Sequence, residues 1–313
     1  MTAPMHRTPL TILLTLAIAA SCAAPKESKG LAAERERLKV SVYNPGAIRE
    51  QSSVGTYIAT LDRSIQQWNH NFLTGNKDRD RRTLNRLEDA IRSRSLKMFD
   101  MLVEQLESGP PFNRRVAATA LGFTNSDRSL SPLLNALSDP DQDVINNALV
   151  GLSVLGDPTT PLQGILHQMR FGSSELIRGN ASLALLECLQ AGSPTIPEVV
   201  DAARSGLNDD GPYVRTKSAL ILAFEQDVES IGNLALQLSD DDLDSAAMAA
   251  SRAIAYLGKH KIHSQGNCAR VLTAALGKVN DAVTGAELRD LQRLSGRNSP
   301  THAEWVQWAH RLP

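Results

Sequence analysis

Between Leu102 and Gly258 the chain places its apolar, small and polar residues in the same order five times. The copies begin Asn113-Arg-Arg-Val-Ala, Val144-Ile-Asn-Asn-Ala, Ile177-Arg-Gly-Asn-Ala, Val214-Arg-Thr-Lys-Ser and Ala249-Ala-Ser-Arg-Ala, and each runs for ten residues. Aligned on their fifth places (Ala117, Ala148, Ala181, Ser218 and Ala253), they are separated by 31, 33, 37 and 35 positions. A period of that size predicts stacked helical units, each burying its apolar face against the next. The small fifth, sixth and eighth places let neighbouring helices approach closely, and the first and ninth places fill the core between units.

Every copy is preceded by a helix-period run, such as Leu130, Leu133, Leu134 and Leu137, or Ile231, Leu234 and Leu238. Between run and copy lies an acidic turn: Ser138-Asp-Pro-Asp-Gln-Asp143, Asn208-Asp-Asp-Gly-Pro212 or Ser239-Asp-Asp-Asp-Leu-Asp244. Aspartate ahead of a helix caps its open N–H groups and opposes the positive end of its dipole, while Pro and Gly enforce the turn.

Upstream, Tyr57, Ile58, Leu61, Ile65, Trp68 and Phe72 predict one amphipathic helix that stops at Thr74-Gly75-Asn76. Leu84, Leu87 and Ile91 begin a second, continuing toward Leu96 and Leu106. These helices cover the open side of the first unit. The cationic stretch from Lys77 to Arg94 is offset by Asp78, Asp80, Glu88 and Asp89 and reads as a solvated face. Downstream, Val271, Leu272, Leu276, Leu288, Leu291 and Leu294 outline a sixth, degenerate pair closed by Gly296. Thr301 and Glu304 then have capping-box spacing, and Trp305 and Trp308 share one face that covers the last unit.

The acidic turn followed by Val-Arg, two small residues and Ala-Leu-Gly resembles the HEAT-repeat family in its short bacterial form, over roughly Leu96 to Leu294. Val214-Arg215 and Ile177-Arg178 carry the likeness best. The resemblance implies an all-α, right-handed α-solenoid with capping helices at both ends. It also implies that the second helices line a concave face, where the third, fourth and seventh places point away from the core. Ile145 and Ala250 stand where the family has arginine, so a ladder of Asp-to-Arg contacts would be broken at those copies.

The start of the chain changes the setting. Met1 to Cys22 has a short basic start (His6, Arg7) and an apolar run from Leu10 to Ala20, the pattern of an export signal. Ile18-Ala-Ala-Ser-Cys22 resembles a bacterial lipobox, which implies lipidation of Cys22, with Ala19 where the family has leucine. The expected organisation is therefore a signal peptide over 1–21, a lipidated tether over 22–53, capping helices over 54–95, the repeat array over 96–298 and a tryptophan-containing cap over 299–313. About thirty flexible residues reach on the order of 30 Å, enough to hold the array clear of a membrane. Expected localisation is the bacterial cell envelope, on the periplasmic side, with a secreted soluble form as second choice.

Composition narrows the chemistry. Hydrophobic residues are 42% and aromatics 4%, and net charge is −1, so no global field recruits nucleic acid. Cys188 and Cys268 belong to distant units, beyond the roughly 7 Å that a disulfide spans, and are expected as free thiols. Asp139, Asp141 and Asp143 begin like a calcium loop but lack its glycine and its last glutamate. His260, His263 and Cys268 lie close in sequence without a fourth ligand and beside two lysines, so no metal, cofactor or small-molecule substrate is expected. No catalytic motif appears. The expected function is a membrane-tethered, non-enzymatic scaffold that binds a protein or peptide on the concave face through Arg115, Asn146, Asn147, Asn180, Thr216, Lys217 and Arg252, beside an apolar stripe from Val116, Val150, Leu183 and Leu220. The alternatives are an accessory subunit or cryptic metal-dependent enzyme of the envelope using the His260 to Cys268 region, or a purely structural envelope protein. Thr119, Gly179, Ser251 and Ala255 complete the third, fourth and seventh places.

Overall fold

A computed structural model of the chain describes residues 52–74, 81–241, 243–298 and 301–313. Cys22, the export signal and nearly all of the tether lie outside these residues. Every regular element among the described residues is helical, and the chain divides into two compact units, ending and beginning at Thr124 and Asn125.

In the first unit, α1 (Ser52–Thr74) packs on α2 (Arg81–Lys97), and α3 (Phe99–Ser108) pairs with α4 (Pro111–Gly122). The helical period beginning at Leu84 is thus divided in two, with a break at Met98. Ile58, Leu61, Ile65 and Trp68 form the buried stripe of α1, and Trp68 meets Phe123 edge-on at 5.0 Å. Polar contacts fix the hairpin: the Trp68 indole donates to Glu88 (3.0 Å), and Arg94 donates to Ser64 (3.0 Å). The Arg115 guanidinium reaches Asp62 on α1 at 3.3 Å, and Arg92 donates to the Phe123 carbonyl, so part of the cationic surface is used internally.

The second unit is an α-solenoid. Its helical pairs are α5 (Leu130–Asn135, flanked by short 3-10 turns) with α6 (Gln142–Leu155), α7 (Gln163–Phe171) with α8 (Glu175–Ala191), and α9 (Pro197–Gly206) with α10 (Pro212–Phe224). There follow α11 (Ile231–Asp240) with α12 (Asp244–His260), and α13 (Gln265–Ala275) with α14 (Asp281–Ser295). Second helices stack in an unbroken series, α6 on α8, α8 on α10, α10 on α12 and α12 on α14. The repeated phrase explains the series. Its fifth places (Ala148, Ala181, Ser218, Ala253) and ninth places (Leu152, Leu185, Leu222, Leu257) are all fully buried, small at the closest approach and large between layers.

The last helix, α15 (His302–Arg311), lies against α13. Thr301 and Glu304 form a reciprocal capping box, and Trp305 and Trp308 are buried, their rings edge-to-face at 5.6 Å. Gly296, at φ +70, ends α14 in the left-handed conformation that a side chain would oppose. Cys188 and Cys268 are free and buried, and burial pushes their thiols up to about 11 and about 12. Neither forms a reactive thiolate near neutral pH.

Candidate functional site

The acidic turns are joints between repeats. Asp139, Asp209 and Asp241 each turn a carboxylate oxygen back on the backbone N–H two residues ahead, of Asp141 (2.8 Å), Gly211 (2.7 Å) and Leu243 (3.0 Å). Asp141 does the same for Asp143 and so caps α6. These local bonds occupy the oxygens that a calcium loop would direct at an ion. Two of the turns also receive an arginine from the repeat before. Arg178 grips Asp209 through Nε and Nη2 (2.7 and 2.8 Å), and Arg215 grips Asp241 in the same way. Each guanidinium also donates to backbone carbonyls of its own turn, Arg178 to Gly172 and Arg215 to Asp209 and Asp210. Burial pushes the Asp209 carboxyl up, but the Arg178 guanidinium and the Gly211 N–H outweigh it and hold the group below the ordinary carboxylate value.

The ladder is not broken at the fifth copy. Arg252, two places beyond Ala250, takes the role and donates to Asp290 on α14 at 2.9 Å, while the Ser251 hydroxyl donates to the other oxygen. At the second copy the link is a side-chain amide bond, Asn180 to Asn146 at 2.7 Å. Arg204, on α9, adds a joint on the other helices by gripping Asp227 and Glu229.

These joints correct the expected solvent face. Among the third, fourth and seventh places, Val116, Thr119, Gly179, Asn180, Thr216, Leu220, Ser251 and Ala255 are buried. A second helix inside the stack touches the second helices on either side and its own first helix, so only a narrow stripe is left to water. Arg115, Asn146, Asn147, Lys217 and Arg252 stay half-exposed. Of these, Arg115 pairs with Asp62, Asn146 with Asn180, and Arg252 with Asp290. Thr216 donates back to the Pro212 carbonyl of its own helix.

The solvent-facing residues of these helices fall mostly on places zero, four, seven and eleven of the phrase, the i, i+4, i+7, i+11 line of one helix face, interrupted where Asn180, Leu220 and Ala255 are buried. They are Asn147, Val150 and Val154 on α6; Leu183 and Glu187 on α8; Tyr213, Lys217 and Phe224 on α10; and Met248, with Tyr256 one place off the line, on α12, all half-exposed. Lys217 stands over the Tyr213 ring at 5.1 Å, and Tyr213 in turn lies on Gly179, where an added Cβ would come within 2.2 Å of the ring. Burial lifts the Glu187 carboxyl to about 6 despite the nearby Lys217 cation. Glu187 and Tyr213 fall on a four-place line that the sequence carries, whereas Tyr256 lies one place off it.

No metal-holding cluster of His, Cys, Asp or Glu occurs among the described residues, and Cys268 is buried while His260 and His263 are exposed. No helix among them is long and apolar enough to cross a membrane.

Residues 99–185 match the family of HEAT repeats. Over that stretch the chain is HEAT-like. It contains the first two copies of the phrase and all but the last residue of the third. No curated protein matches the chain. Among solved structures it is similar to a designed armadillo repeat protein, at 19% identity and a TM-score of 0.44, covering 62% of this chain and 99% of that one. It is also similar to human deoxyhypusine hydroxylase in complex with glycerol, at 14% identity and a TM-score of 0.30, covering 80% and 100%. Neither likeness bears on function.

Proposed function

We propose that the protein is an interaction scaffold of the bacterial cell envelope, tethered by a lipid on Cys22, that holds a partner protein or peptide along its second helices. The observation that carries the reading is the division of labour on those helices. Arginines, aspartates and amides lock one repeat to the next, and other residues of the same helices, of mixed chemistry, are left half-exposed along one face. Val150, Leu183, Phe224 and Met248 offer apolar sockets there, while Asn147, Glu187 and Lys217 offer polar and charged anchors. Alternating chemistry at helix spacing suits an extended segment or a helix laid across the stack.

The test is recovery of partners from envelope extract by the wild-type protein and by Asn147→Asp/Lys217→Glu. Loss of one dominant partner with an unchanged melting temperature is expected. Equal recovery of every partner by both proteins would remove this face from the account.

A further inference from the structure

One end of the second unit gathers cations that no contact within the unit explains. Lys259, His260, Lys261 and His263 follow one another at the end of α12 and in the turn beyond, and all four are exposed. Helix α15 brings two more. It runs antiparallel to α13, as three contacts show: His302 meets the Thr273 carbonyl at 3.1 Å, Arg270 donates to the Leu312 carbonyl, and the Pro313 oxygen lies over Gly266. The end of α15, with exposed His310 and Arg311, therefore adjoins the start of α13 and the turn that leads into it.

Among the described residues none of these six groups forms an ion pair, and only His260 has a ring partner, Tyr256 at 4.1 Å. The charge is segregated in sequence as well. No aspartate or glutamate occurs between Asp244 and Asp281, or after Glu304, in a chain whose net charge is −1. Complementing the α12 dipole accounts for Lys259 and His260 in its last turn, but not for Lys261 and His263 beyond the helix. It also leaves Ile262 unexplained, which stands 69% exposed between them.

We infer that this end of the solenoid docks on an anionic phospholipid surface, with Lys259, Lys261 and Arg311 on headgroup phosphates and Ile262 entering the acyl boundary. A bare apolar side chain flanked by unpaired cations fits an interface that is charged outside and apolar beneath. An acidic polypeptide would meet the cations but has no need of an aliphatic tip. The contact is separate from the proposed tether, because it is built from residues of the folded array alone.

The test uses the full chain carrying Cys22→Ala, so that no acyl group contributes and failure of the tether leaves the result readable. Partitioning is measured onto vesicles of phosphatidylcholine and onto an equal mixture of phosphatidylcholine and phosphatidylglycerol. The expected result is stronger binding to the anionic vesicles, weakened by salt, and reduced about 25-fold by Lys259→Ala/Lys261→Ala, at about fivefold per lysine. Ile262→Ser lowers binding further, while Leu236→Ser, at another exposed apolar residue of the unit, leaves it unchanged. Equal partitioning onto both vesicles overturns the inference, as does full retention by the lysine variant. Capture by soluble poly-glutamate without vesicle binding overturns it in favour of an acidic polypeptide.

Discussion

Asp290 shows how a single side chain can complete a pattern that its sequence position hides. It is fully buried within α14, outside any acidic turn, and it accepts from Ser251, Arg252 and Arg293. From the sequence, Ala250 in the arginine place reads as a missing rung, because the sixth pair lacks the phrase that would reveal its acceptor. The Arg178–Asp209 and Arg215–Asp241 rungs were legible, since Asp before the turn and Arg after it recur there at fixed places. Arg215 and Asp241 form the most enclosed of them, the Asp241 side chain being 2% exposed. Arg215→Met strips the guanidinium from that buried carboxylate and is expected to cost about 3 kcal/mol. Chemical denaturation of Arg215→Met, Asp241→Asn and the double variant checks this. The double variant should lose less than the sum of the two singles.

Glu287, three residues before Asp290, presents the opposite case. Both its carboxyl oxygens are buried without a hydrogen-bond partner, and burial together with the Asp290 charge lifts it to about 7. Unfolding returns it to an ordinary glutamate near 4.5, so the unfolded chain gives up this proton first as pH rises. Stability from this group is therefore undiminished below about 4.5, declines between there and about 7, and stays lowered above. Glu287→Met should stabilise the protein at pH 8 by about 1–3 kcal/mol and much less at pH 5. Melting temperatures at the two pH values decide it, and an equal gain at both would contradict the assignment.

For whole helices, spacing alone located almost every element, because buried leucines at the ninth place and small residues at the fifth leave a period that composition cannot blur. The face that each helix shows to water was harder to read. Periodicity gives the apolar side of an isolated helix, but a second helix in a stack is covered from three directions, and small or polar residues such as Gly179, Thr216 and Ser251 are drawn into the seams. Gly179 is the clearest seam, with the Tyr213 ring from the next repeat filling the place of its side chain. Gly179→Ala is expected to destabilise by about 1–3 kcal/mol through overpacking, and Tyr213→Leu in the same chain to restore most of the loss. Thermal melts of the single and double variants measure both effects. No restoration would mean that Tyr213 is not what excludes the methyl group.

At the scale of the molecule, each layer of the second unit touches chiefly its neighbours, and the rungs tie adjacent layers at their turns. Stability in such an array is close to a sum of layer terms and interface terms, which leaves the outward stripe free to vary without loss of the fold. The tether is a separate proposition carried by Cys22. Cys22→Ala should move the protein from the membrane fraction to the soluble fraction in low-phosphatidylglycerol cells, where the proposed lipid-docking end is also weakened, and unchanged retention there would defeat the lipid anchor. The central claim is that the stripe along the second helices holds a protein partner, and site-specific photo-crosslinking in cells tests it most directly. A crosslinking residue at Leu183 on α8 or Val150 on α6 is predicted to capture one and the same protein, and one at Leu236 on the first helix α11 to capture none of it. Capture from Leu236 alone, or no common adduct from Leu183 and Val150, would contradict the account.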